Sequence, residues 1–179
     1  SLTVVGRGPL EGSLRRLAAE LGIEEHVRFM GFLPEKLVIR HLQEATATII
    51  PSYAETQSLV LLESIACGTP VLCADAPANA ASPFVRSHGC GDTYRFDDPD
   101  SLAEAFLLLV KNRKRYRELR GNCLDIRDRF SLESVTDQWL DLCRALRAEK
   151  CQPGSGAAGL RPPARRATTS GISSRTWRP

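Results

Sequence analysis

The sequence predicts an α/β protein, a doubly wound and mostly parallel sheet with helices on its faces. Three observations carry that prediction. Residues 46–74, TATIIPSYAETQSLVLLESIACGTPVLCA, read as strand, loop, helix and strand in succession. Leu2 to Val5 is a short β-branched run that passes straight into Gly6-Arg7-Gly8-Pro9 and then a helical pattern, as a βαβ unit begins. The same alternation recurs along the chain as far as the helix that ends at Val110. In such a Rossmann-like sheet, ligands bind outside the carboxyl ends of the strands.

Taken in order, the first helix is expected over Gly12 to Leu21, with Leu14, Leu17, Ala18 and Leu21 on one stripe and Gly22 as its C-cap. Val27 to Met30 is the next strand, followed by the turn Gly31-Phe32-Leu33-Pro34 and an amphipathic helix to Glu44. Thr46 to Ile50 is a strand closed by Pro51, and Leu59 to Cys67 is a helix stopped by Gly68 and Pro70. Val71 to Ala74 is a strand, and Ala78 to Ser82 is a loop of small residues. Phe84 to His88 is a short helix ended by Gly89, and Thr93 to Phe96 is a last strand. Ser101 and Glu104 have capping-box spacing at the start of a helix through Val110. Asn112 to Arg129 interleaves Arg and Lys with Tyr116, Leu119 and Leu124, and its acids mark it as a solvated helix face. Val135, Trp139, Leu142 and Leu146 recur at helical spacing and are expected to pack.

Composition bounds the function. Of the 179 residues 42% are hydrophobic, enough for one core, which is placed within residues 1–150. The net charge is +3, but residues 151–179 hold five arginines and no acid, so removing them leaves −2. The globular part therefore has no electrostatic signature of nucleic-acid binding. The tail itself is rich in Pro, Gly, Ser and Arg, cannot bury a core, and is expected to be disordered. No apolar run approaches the length of a membrane span, and no signal peptide is read. Six cysteines without a C-x-x-C pair read as reduced, mostly buried thiols, with no metal site. This predicts a cytoplasmic protein, with peripheral attachment at the cytosolic membrane face as a variant.

The chemistry concentrates around residues 55–63. Between Thr56 and Ala74 the only charged side chain is Glu63, on a helix apolar on nearly every side. An acid buried there calls for a partner. Glu55 stands eight residues earlier, ahead of the helix start. The N–H groups of Gln57, Ser58, Leu59 and Val60 would lie at a helix N-terminus, which favours a phosphate. Carboxylates suit sugar or ribose hydroxyls, so the combination suggests a nucleotide-sugar.

The run from Pro51 to Val71 resembles the E-x7-E motif of retaining GT-B glycosyltransferases, especially glycosyltransferase family 4. Acids, small residues and the Gly-x-Pro stop fall in register. The departures are Gln57-Ser58 where Phe-Gly is common, Ser64 for Ala, and Ala80-Ala81-Ser82 where a Gly-Gly-x-x-Glu run is frequent. The Val-Gly-Arg-Gly-Pro turn and the wording around Phe96 to Ala105 also resemble that family, so the likeness covers about residues 2 to 148. It implies the C-terminal, donor-binding half of such an enzyme, without its first strand and its N-terminal acceptor domain. Glu63 would hold the ribose of a UDP- or GDP-sugar, Glu55 would act catalytically at the donor sugar, and the N–H groups near Ser58 to Val60 would take the diphosphate. Gly6 and Gly8 would lie near the donor, and Gly31 and Phe32 would read the base. Such enzymes generally need no metal or other cofactor and glycosylate a lipid or glycan acceptor. The alternative is a non-catalytic nucleotide-sugar-binding module or an inactive fragment.

Overall fold

The computed structural model describes residues 1–150, with side chains as far as Arg147. The predicted disordered tail lies outside the described residues. The described residues divide into two units, 1–137 and 138–150. Helices and strands alternate through the first. The chain runs β1 (Leu2–Val5), α1 (Glu11–Glu20), a 3₁₀ turn (Glu24–His26), β2 (Val27–Gly31), α2 (Glu35–Glu44) and β3 (Thr48–Ile50). It continues through β4 (Ala54–Glu55), α3 (Leu59–Ala66), β5 (Val71–Asp75), β6 (Ala78–Asn79), α4 (Ala81–His88) and β7 (Gly91–Arg95). It ends with α5 (Pro99–Lys111), α6 (Arg113–Arg127), a 3₁₀ turn (Asp128–Phe130) and α7 (Leu132–Lys150).

Every strand pairing is parallel, as a doubly wound fold requires. The pairing is not continuous, however. β1 pairs only with β2, β3-β5-β7 form a second sheet in that order, and β4 pairs with β6. The predicted single sheet is therefore broken between β1 and β3. Helix α2 joins the region of α3: the Cys67 thiol reaches the Ile39 carbonyl at 3.9 Å, and the Thr69 hydroxyl donates to the Leu42 carbonyl at 2.6 Å.

The core is built on β5. Its residues from Val71 to Ala74 are fully buried, so both faces of the strand are covered. Because strand side chains alternate, Val71 and Cys73 enter one cluster with Ile50, Leu61, Ile65, Val85 and Cys123. Leu72 and Ala74 enter the other with Tyr94, Ala105, Leu109 and Leu119. Helix α6 serves both clusters through Leu119 and Cys123, which is the buried side of the charged segment.

Several expectations are corrected. Of the predicted stripe on α1 only Ala18 is buried, while Leu14, Leu17 and Leu21 are exposed, because no element covers that face among the described residues. The start of α5 is capped by Asp98, not Ser101: the Asp98 carboxylate accepts from the Ser101 N–H at 2.8 Å, with Pro99 at the first helical position. The last strand begins at Gly91 rather than Thr93, and α4 begins at Ala81 rather than Phe84. Along α7 the residues Val135, Trp139, Leu142 and Leu146 keep the helical spacing with exposed side chains. No helix of the described residues is long and apolar enough to cross a membrane.

Candidate functional site

The residues singled out in the sequence fall into two groups, each at the carboxyl end of a parallel pair. At the end of β1 and β2 the Gly6 N–H donates to the Gly31 carbonyl at 2.7 Å, next to a register shift between Val4 and Val5. Both glycines have positive φ, 124° and 64°, which an L side chain rarely adopts. The Arg7 guanidinium lies over Gly31, with Nε 3.3 Å from where a Cβ would stand. Phe32 follows and is 83% exposed. A cleft of about 400 Å³ opens beside them, lined by Arg7, Glu11, Arg15, Phe29, Met30 and Gly31. Gly8 borders the turn, and its carbonyl accepts from the Glu11 N–H.

The second group sits at the end of β3 and β5. Ser58 is the N-cap of α3, and its hydroxyl accepts from the Leu61 N–H at 3.4 Å. That leaves the Leu59 and Val60 N–H groups, in the first turn, without an intrahelical acceptor. The side chains of Leu59 and Val60 are exposed, as is Gln57. The Ser58 side chain is itself buried and committed to the cap, so only its main chain can serve a ligand. Glu55 lies on β4, half-buried, with its carbonyl accepting from the Ala80 N–H at 2.9 Å.

Glu63 is where the structure departs most from expectation. The buried, partnered acid of the sequence reading is exposed, and its carboxylate makes no hydrogen bond or ion pair among the described residues. The reason is helical phase. Leu61, Ser64 and Ile65 take the buried face of α3, which leaves Glu63 on another. Its neighbour one turn on is Cys67, whose thiol faces α2 at Ile39. Glu63 therefore projects on the α2 side of α3, and α2 is the helix that Gly31 and Phe32 lead into. The Glu55 carboxylate is likewise unpaired among the described residues.

Three features escaped the sequence. Asn79 is buried and pins the loop after β5: its Nδ2 donates to the Ser52 carbonyl at 2.8 Å and the Ala74 carbonyl at 3.1 Å, and its Oδ1 accepts from the Ala81 N–H at 3.0 Å. Asp75 accepts from the Ser82 hydroxyl at 2.7 Å and pairs with Arg86 at 2.9 Å. The Ser82 hydrogen bond, then Arg86, holds the Asp75 carboxyl below its ordinary range. Tyr53 and Phe96 meet edge to face with ring centroids 5.2 Å apart. A signal existed only for the first, an Asn in a strand-to-helix loop. Asp75, Asn79 and Arg86 line a second cleft of about 410 Å³. Burial raises the core thiols, Cys73 and Cys90 to about 11 and Cys123 to about 12, so none is a nucleophile at neutral pH.

Residues 1–123 match the family model described as Glycosyl transferases group 1. The chain belongs to that family. A D-inositol 3-phosphate glycosyltransferase of Catenulispora acidiphila is 33% identical over 132 residues, which are 74% of this chain and 31% of the relative. A GDP-mannose-dependent phosphatidylinositol dimannoside mannosyltransferase of Mycobacterium tuberculosis is 32% identical over 65% of this chain and 29% of its own length. The chain thus spans less than a third of the length of these curated relatives, between 15% and 31%. Among solved structures, a sucrose-phosphate synthase from Thermosynechococcus elongatus superposes with TM-score 0.70 at 25% identity, covering 83% of this chain and 39% of that one. Anabaena HepE in complex with UDP-glucose gives TM-score 0.69 at 21% identity over 80% of this chain and 40% of its own. The fold is that of the C-terminal half of a GT-B glycosyltransferase, as the E-x7-E resemblance implied.

Proposed function

We propose that this chain is the donor-binding half of a glycosyltransferase that moves a sugar from a UDP- or GDP-sugar to a lipid or glycan acceptor with retention of configuration. The observation that carries the reading is the α3 N-terminus. Two main-chain N–H groups, Leu59 and Val60, stand without helical acceptors between two carboxylates, Glu55 and Glu63, that have no protein partner among the described residues. A diphosphate fits the N–H groups and the positive end of the helix dipole. In this reading Glu63, on the α2 side, accepts from ribose hydroxyls, and the main chain of Gly31 and Phe32 meets the base. Gly6 and Gly8 let that edge come close to the nucleotide. Glu55 is assigned to the donor sugar. There the bond from C1 to the diphosphate oxygen breaks, the acceptor hydroxyl oxygen bonds to C1 on the same face, and its proton passes to the leaving diphosphate. The chemistry calls for no metal or other cofactor, and the residues that hold the acceptor lie mainly outside this chain. The UDP-glucose complex of HepE and the GDP-mannose dependence of the mycobacterial relative support a nucleotide-sugar as ligand.

Calorimetry of the whole chain with UDP and GDP tests this. One nucleotide should bind, and Glu63→Ala should weaken it by about 10-fold or more, the worth of hydrogen bonds to a charged acceptor. Glu55→Ala should leave nucleotide affinity nearly unchanged. Affinity indifferent to Glu63 would overturn the assignment. The departures at Gln57-Ser58 and Ala80-Ala81 favour a second reading, a nucleotide-sugar-binding module without activity. Sugar transfer by the chain would exclude it.

A further inference from the structure

We propose that Tyr53 and Phe96 form a stacking platform for a pyranose ring at the carboxyl end of β5. The inference takes its location from the reading above and adds to it a contact with the sugar itself. The two rings come from opposite sides of the central strand. Tyr53 follows β3 and stands two residues before Glu55, while Phe96 follows β7, and β3 and β7 flank β5. They meet at 5.2 Å with 64° between their planes, yet Tyr53 stays 55% exposed and Phe96 39% exposed. Tyr94, two residues earlier on β7, is buried in the core by contrast. The pair therefore braces itself rather than filling the interior.

Both sides of the platform are fastened. The Asn79 side chain holds the Ser52 carbonyl beside Tyr53 at 2.8 Å. Arg95 donates to Asp98 at 2.8 and 2.7 Å, and the Arg95 N–H donates to the Ser101 hydroxyl at 3.0 Å. Between them Asp97 has φ 57°, the only positive φ outside glycine among the described residues. A residue held in that region marks a turn fixed by its surroundings. The rings are thus set in place before any ligand arrives, which lowers the ordering cost of binding.

The surroundings select the ligand class. A pyranose has an apolar C–H face and a rim of hydroxyls. The ring pair offers an apolar, electron-rich surface to the first. Glu55, two residues after Tyr53 and with a carboxylate unpaired among the described residues, offers an acceptor to the second. The ring can be the donor's hexosyl group or a sugar of the acceptor.

Two variants test the platform: Tyr53→Ala, and Phe96→Leu, which keeps apolar bulk against the sheet end. Saturation-transfer NMR on the whole chain would use methyl glycosides of glucose, mannose and N-acetylglucosamine. Calorimetry would compare UDP with UDP-glucose and GDP with GDP-mannose. Saturation should reach the sugar ring protons, and each variant, folded by circular dichroism, should weaken sugar binding by about 3- to 10-fold. UDP and GDP affinities should not change. Loss confined to the nucleotide-sugars assigns the donor ring; loss with the methyl glycosides assigns the acceptor ring. If neither variant weakens the binding of any methyl glycoside or nucleotide-sugar, the platform is wrong. UDP and GDP that fail to bind, or ignore Glu63, count instead against the donor-site reading, and the methyl glycosides still decide the platform.

Discussion

Replacing Gly91 with Ala probes how closely β5 and β7 are locked beneath the candidate site. Gly91 is buried at the first position of β7, opposite Val71. A Cβ built there lies 2.7 Å from the Val71 carbonyl carbon and 2.8 Å from the Val71 nitrogen, with the Val71 oxygen nearer still. Contacting carbons sit about 3.5–4.0 Å apart, so one strand must retreat by about 1 Å. All three obstructing atoms are main chain, and no rotamer change relieves them. The Val71 N–H donates to the Cys90 carbonyl at 3.1 Å, already near the long end of a good bond. A retreat of that size opens this bond and its neighbour in the ladder, about 1 kcal/mol each, and overpacking adds about 1–3 kcal/mol. The sum, about 3–5 kcal/mol, is a large share of a typical domain stability of about 5–15 kcal/mol. In urea unfolding followed by circular dichroism, the midpoint should fall by about 2 M. Gly12→Ala is the control: nothing lies within 4 Å of its added methyl, in the first turn of α1, and the midpoint should hold or rise slightly. A Gly91→Ala midpoint within about 0.5 M of the parent would refute the reasoning.

Tyr94 has a buried hydroxyl with no hydrogen-bond partner among the described residues. Tyr94→Phe should therefore stabilise by about 1 kcal/mol, seen as a Tm rise of about 2–4 °C, and a fall would show that the hydroxyl is engaged. Ser58→Ala removes the α3 cap and should cost about 1 kcal/mol, with Ser58→Gly costing only a few tenths; equal losses would point to something other than the cap. The Asp75 carboxyl is held below its ordinary 3.8 by Ser82 and Arg86, so its stabilisation is complete above 3.8 and disappears as pH falls through the folded value. The difference in urea midpoint between the parent and Asp75→Asn should be clear at about pH 6 and shrink toward zero in more acidic buffer; a difference that grows on acidification would reverse the sign of the argument.

The strand–helix alternation and the Glu55–Glu63 spacing were legible because each rests on short-range pattern. A β-branched run closed by Pro51, and an apolar helix closed by Gly68 and Pro70, need no knowledge of partners. The phase of Glu63 was not legible: α3 is apolar all round, so the sequence could not say which side the sheet would claim. Leu14, Leu17 and Leu21 made a good stripe, but a stripe reports only that a face can be buried, not that anything covers it. Ser101 and Glu104 have the spacing of a capping box, yet Asp98 outcompeted them because Pro99 fixes the first helical turn one step after it. Gly91, Asn79 and the Tyr53–Phe96 contact depend on pairings between residues distant in sequence. No local pattern announces them.

The sparse burial of the first forty-odd residues has a thermodynamic consequence. Up to residue 49 only Ala18 is buried, and among the described residues the hydrogen bonds of residues 1–31 close upon themselves. With so little apolar area sequestered, opening that segment costs far less than opening β5. Amide protons of β1 and β2 should exchange through sub-global opening, at rates separate from those of β5 and β7. The glycine pair Gly6–Gly31 thus rides on the softer exchange unit and the α3 N-terminus on the harder one. A ligand gripping both would slow exchange most in β1 and β2.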